Sequence, residues 1–133
     1  MVDFSHLPVG REGSAALIVD DSHTAPRVGS GRVRVLATPV MINLMEAAAL
    51  AAVERFLPPG YQSLGTVLNV RHIAATPVGM RVQATAIVQA VDGRTIRFTV
   101  EARDERERIG DGTHERVVVN VAKFDQRVKR KLA

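Results

Sequence analysis

The chain has no cysteine and no tryptophan. It therefore offers no disulfide framework and no thiolate nucleophile, and a cytoplasmic setting is the expectation. Aromatic residues make up only 4% of the sequence. Because the basic residues are dispersed among acids, a formal net charge of +4 and a pI near 10.3 do not amount to a nucleic-acid surface. The one basic cluster, "RVKRKLA" at the C-terminus, reads as a solvated tail. No apolar run approaches the roughly 18 residues of a membrane span. The N-terminal segment lacks the basic start and long apolar stretch of a secretory signal. No two of the histidines, at 6, 23, 72 and 114, stand in His-x-x-x-His spacing, so neither a metal site nor a metal cofactor is expected. The G-x-S-x-G elbow, the G-x-G-x-x-G turn and the Walker loop are absent, which removes serine-hydrolase, dinucleotide and nucleotide-triphosphate chemistry.

What remains is a chain of 133 residues, 46% hydrophobic and 24% charged, expected to form one domain over 1–133. Residues 38–56 read as one helix of about 18 residues, roughly 27 Å long. Thr38 suits the N-cap and Pro39 the first helical position, while "LPPG" at 57–60 stops it. Its apolar arc is wider than a surface helix needs, so the helix is expected to be wrapped. Stretches 63–77, 80–91, 95–103 and 113–124 alternate β-branched with polar residues and read as strands. Asp92-Gly93 signals a tight hairpin between the second and third. An earlier strand, "SAALIVDD", precedes the helix, and the glycines of "RIGDGTHE" suggest a bulge or a late start to the last strand. The pattern is α+β: a strand, a long buried helix, then four consecutive antiparallel strands.

Within the apolar "VMINLMEAAALAAV" stands a single carboxylate, Glu46. A carboxylate taken out of water must be paired, partly wet or protonated. Glu46 is either one member of a narrow polar strip with Asn43 or a general base made by its surroundings. His72 sits in a strand otherwise suited to burial, as a satisfied core histidine or a catalyst. Thr38 can cap the helix, whose N-terminal N–H groups can also hold an oxyanion. His6, His23 and His114 are less promising.

These elements resemble the hot-dog fold, an antiparallel β-sheet wrapped around a long central helix. The segments "ATPVMINLMEAAAL", "SLGT", "HIAATPVGM", "VDGR" and "GDGTHERVVVNVAKF" resemble, in order and spacing, the fluoroacetyl-CoA thioesterase-like family over roughly residues 36–125. The resemblance implies an acyl-CoA thioesterase in which Thr38, Glu46 and His72 act together on the thioester, with Gly65 near the acyl group and Arg116 close to the site. Glu46 would be either the base that activates water or the nucleophile, His72 would assist proton transfer, and Thr38 would orient the thioester or position Glu46.

On one straight helix, Thr38 and Glu46 are separated by about 12 Å along the axis, too far for a hydrogen bond. Either the helix starts after Thr38 and the preceding loop folds back, or the two meet across a subunit boundary. Hot-dog proteins resemble one another in forming dimers with shared sites, so a homodimer is expected, with assembly into tetramers left open. The fluoroacetyl-specific enzymes carry aromatic residues before the helix as a lid. Here no Phe, Tyr or Trp lies between Phe4 and Phe56, which points to a small or medium acyl-CoA hydrolysed with loose selectivity. Arg27, Arg32 and Arg34 in that segment can meet the phosphates of CoA or stay solvated. The competing readings are a hot-dog hydratase or dehydratase and a non-catalytic acyl-CoA-binding protein.

Overall fold

The alternation of apolar and polar residues builds five strands in the computed structural model, which describes residues 3–133. They are β1 (Glu12–Ile18), β2 (Tyr61–His72), β3 (Arg81–Asp92), β4 (Thr95–Arg103) and β5 (Arg108–Asn120). All pair antiparallel, in the order β1-β3-β4-β5-β2. On β4, Ile96, Phe98, Val100 and Ala102 are buried, while Arg97, Thr99 and Arg103 between them are exposed. The buried face curls about α2 (Thr38–Val53), whose Met41, Met45, Ala48 and Val53 complete the core with Val82 and Phe98. The helix lies close to the sheet because small residues meet there. A Cβ added at Gly13 of β1 would come within 2.5 Å of the Ala52 nitrogen.

The helix begins at Thr38 and ends at Val53, and a short 3₁₀ turn covers Glu54–Phe56. Ala37, not Thr38, is its N-cap, and no side chain caps that end. The Thr38 hydroxyl is instead engaged elsewhere, as described below. The β3–β4 hairpin closes on the pair Asp92↔Thr95, with Gly93 at φ 60° in the turn.

Two expectations are corrected and one open choice is resolved. The four later strands are not a simple meander, because β2 pairs with β5 on the far edge and β3 with β1. The link between β2 and β3 contains Pro77 and is held elsewhere: Thr76 O accepts from Leu36 N at 2.9 Å, and Thr76 Oγ1 donates to Asp104 at 2.9 Å. The stretch "RIGDGTHE" carries the bulge of the two alternatives and not the late start: β5 begins at Arg108, its register with β4 shifts where Ala102 pairs with Gly110 and Arg103 with Arg108, and against β2 Gly110 faces His72 and Gly112 faces Val70. They are needed for close approach, since a Cβ at Gly110 would come within 2.5 Å of Met41 Sδ and one at Gly112 within 2.6 Å of Val70 Cα. Finally, β5 stops at Asn120, whose side chain accepts from Lys123 N and so caps α3 (Val121–Lys129). Residues 121–124, read as strand, are helical, and the basic C-terminus is an exposed helical end.

β2 is an edge strand with large apolar side chains in the open. Leu64, Val67, Leu68 and Ile73, the last just beyond it, are 38%, 43%, 38% and 50% exposed. Among the described residues no helix is long and apolar enough to cross a membrane.

Candidate active site

The first turn of α2 and the end of β2 meet at one pole. Thr38 Oγ1 lies 2.7 Å from His72 Nδ1. The segment leading to Thr38 is tied down by backbone bonds, Ala37 N to His23 O at 2.9 Å and Ala25 N to Val35 O at 2.9 Å. His72 is half-buried, and its Nε2 is buried with no hydrogen-bond partner among the described residues. Burial pushes its pKa below the ordinary histidine value, opposed in part by the carbonyl of Ala74. A groove of about 360 Å³ opens here, lined by Thr38, His72, Arg32, Val33, Leu36 and Ile73. Of the other arginines in the preceding segment, Arg27 and Arg34 pair with Asp21, at 2.7 Å and 3.5 Å.

Two turns further along α2 is a second cluster. Glu46 Oε2 stands 3.5 Å from Nη1 of Arg116 on β5. The carboxylate is thus both paired and partly wet, with a side chain 35% exposed. Arg116 is buried and each of its three nitrogens has a partner: Nε donates to Ser63 Oγ at 2.8 Å, Nη2 to Ser63 O at 3.0 Å and Nη1 faces His114 Nε2 at 3.2 Å. Burial lowers its pKa while Glu46 opposes that shift. Gly65 supplies the space: a Cβ there would lie 2.5 Å from Glu46 Oε2 and 3.2 Å from His114 Cε1. Beside it the β2–β5 register shifts between Gly65 and Val67, a bulge that re-aims the strand next to the carboxylate.

Of the five residues singled out from sequence, Thr38 and His72 touch one another, and Glu46, Gly65 and Arg116 form a separate group. Within one chain the two groups are not joined. The helix starts at Thr38 itself, so no loop folds back to bring Thr38 to Glu46. Ser63 carries no signal in the sequence reading, and His114 is set aside there as less promising. The strand alternation of "THER" places His114 and Arg116 on one face, but only the β2–β5 register brings Ser63 to them. A larger depression of about 800 Å³, lined by Arg81, Glu101, Arg103, Arg108 and Asp111 among others, contains none of Thr38, Glu46 or His72. It is a charged depression apart from this chemistry.

The backbone superposes on a hot-dog-like protein from Thermanaerovibrio acidaminovorans with a TM-score of 0.90, at 26% identity, over 99% of this chain and 98% of that one. A thioesterase superfamily member from Thermus thermophilus gives 0.86 at 31% identity, over 93% and 92% of the two chains. Fold and neighbours together define a hot-dog thioesterase. The pattern of the fluoroacetyl-CoA-specific thioesterase family (FlK) matches residues 19–122. Fluoroacetyl-CoA thioesterase from Streptantibioticus cattleyicolor is 45% identical over 97 residues, 73% of this chain and 70% of that protein. A solved structure of the fluoroacetyl-CoA thioesterase FlK superposes with a TM-score of 0.88 at 37% identity, covering 93% of this chain and 96% of that one. The chain belongs to the fluoroacetyl-CoA-specific thioesterase family.

Proposed function

We propose that the protein hydrolyses the thioester of a small or medium acyl-CoA to free acid and CoA, at a site shared between the protomers of a cytoplasmic homodimer. Each site joins Thr38 and His72 of one protomer to the partner subunit's Glu46 and Arg116. The observation that carries this reading is the Glu46 carboxylate, half-wet on an apolar helix and held 3.5 Å from a buried arginine beside a glycine. A carboxylate fixed in that way can attack a thioester carbonyl or take the proton from an attacking water. With water as nucleophile, one C–O bond forms, the C–S bond breaks and CoA thiolate leaves to be protonated; with Glu46 as nucleophile the same exchange leaves a mixed anhydride, which a water then cleaves to free acid and the restored carboxylate. His72, neutral through burial and with Nε2 unpartnered, is suited to move that proton. Thr38 holds the other ring nitrogen and so fixes the imidazole. Arg32, which lines the groove beside Thr38 and His72, is suited to a CoA phosphate. With no aromatic ring between Phe4 and Phe56, selectivity for fluoroacetyl-CoA is not expected.

Thiol release over a panel of acyl-CoAs, run beside Glu46→Gln and His72→Ala, tests the assignment. Glu46→Gln is expected to lower kcat by about 10² or more, and His72→Ala by a similar factor. Unchanged turnover in both variants would remove the site. Saturable binding without thiol release would instead mark a binding protein, and water addition to an enoyl thioester a hydratase.

A further inference from the structure

His114 is the largest polar side chain of the core without a role in the reading above. It is 0% exposed, stacked on Phe98 with ring centroids 5.7 Å apart, and both its nitrogens are engaged. Nδ1 lies 2.8 Å from the carbonyl of Val67. A carbonyl only accepts, so Nδ1 carries the proton. In a neutral ring Nε2 is then a lone-pair acceptor, and it faces Arg116 Nη1 at 3.2 Å. Four of the five N–H directions of the guanidinium have partners: Ser63 takes Nε and one side of Nη2, and His114 takes one side of Nη1. The fourth, at 3.5 Å, belongs to Glu46.

We infer that His114, as the neutral Nδ1–H tautomer, is a positioning residue that aims Arg116 at Glu46 and so sets the carboxylate for reaction. Protonation of the ring would turn an N–H toward an N–H at this distance. The charged groups around the ring are Arg116 on its own strand, Glu46 on α2, and Glu115, itself paired with Arg97 of β4 at 3.6 Å. Burial, helped by Arg116, lowers the pKa of the ring below the ordinary histidine value, against the Val67 carbonyl and the two carboxylates. The inference rests on Glu46 being the reacting carboxylate, but its test reads Arg116 separately from turnover.

In the wild-type protein at neutral pH, long-range ¹H–¹⁵N spectra should show His114 protonated at Nδ1 and bare at Nε2. An Nε2–H tautomer or an imidazolium overturns the inference without any variant. Among variants, His114→Phe keeps the stacking and removes the acceptor. His114→Gln can return an acceptor to Arg116, and His114→Asn keeps only the donor to Val67. The Arg116 Nε–H signal should stay protected from exchange in His114→Gln and lose protection in His114→Phe and His114→Asn. kcat should fall at least about tenfold in His114→Phe and His114→Asn, with KM changing far less, and recover in His114→Gln. Equal kcat and equal Arg116 protection across the three variants would overturn it. A shifted Arg116 signal in variants of an enzyme whose Glu46→Gln form keeps full turnover would leave the positioning intact and remove the catalytic reading instead.

Discussion

At the scale of the residue, the odd feature of α2 is an acid on a helix that is otherwise apolar. Arg116 answers it from the sheet, with a guanidinium held by Ser63 and His114 rather than by water. A charged pair at such a position is weak evidence of stability, because desolvation offsets the attraction. Its worth lies in where it holds the carboxylate. Gly65 is the counterpart, an empty volume on β2 into which Glu46 reaches. Gly65→Ala is expected to push Glu46 aside, because the new methyl would lie 2.5 Å from Oε2. The nearer group is the mobile end of a side chain and His114 Cε1, at 3.2 Å, must yield only slightly, so melting temperature should fall modestly while kcat falls by about 10². A folded Gly65→Ala enzyme with wild-type kcat would show that the carboxylate does not work from this position.

At the scale of the element, α2 and β1 are brought together by the absence of side chain. Ala48 and Ala52 lie over Gly13, and a Cβ at Gly13 would come within 2.5 Å of Ala52 N and 2.9 Å of Ala52 Cα. Backbone cannot give way as a side chain can. Gly13→Ala is therefore expected to destabilise the protein by about 3 kcal/mol, read from urea unfolding. An unchanged midpoint would mean that the helix rides higher on the sheet. Much of this level was legible from local pattern alone. The Thr-Pro start, the apolar arc and the Pro-Pro-Gly stop delimit α2, and the alternation along 95–103 gives β4 its bounds. What was not legible depends on distant partners. β2 chooses β5 over β3, and that pairing draws Ser63, Gly65 and Arg116 into one cluster. The Thr38 hydroxyl looks like a cap in sequence because a helix start follows it, yet His72, 34 positions later, takes it. His114 is unpromising in sequence after two glycines, and only the fold places it, fully buried, against Phe98 of β4, the Val67 carbonyl of β2 and Arg116.

At the scale of the whole molecule, one chain leaves the residues of the proposed site in two separate groups and its β2 edge uncovered. Thr38 lies at the start of α2 with His72 of β2 against it, and Glu46 lies about 12 Å further along the helix axis. Leu64, Val67 and Leu68 stay exposed along the neighbouring edge strand. A second copy over this edge would cover the apolar side chains and complete both sites by a two-fold axis, each copy giving what the other lacks. The most direct test is subunit complementation. Glu46→Gln and His72→Ala chains, each inactive alone, are co-expressed with different tags and the mixed species purified with its parents. Each mixed dimer holds one intact site of two, so the purified mixed species should show about half of wild-type activity, and the unseparated population, half of it mixed by random pairing, about a quarter. If the mixture shows no activity above that of its parents, Glu46 and His72 do not meet across a subunit boundary.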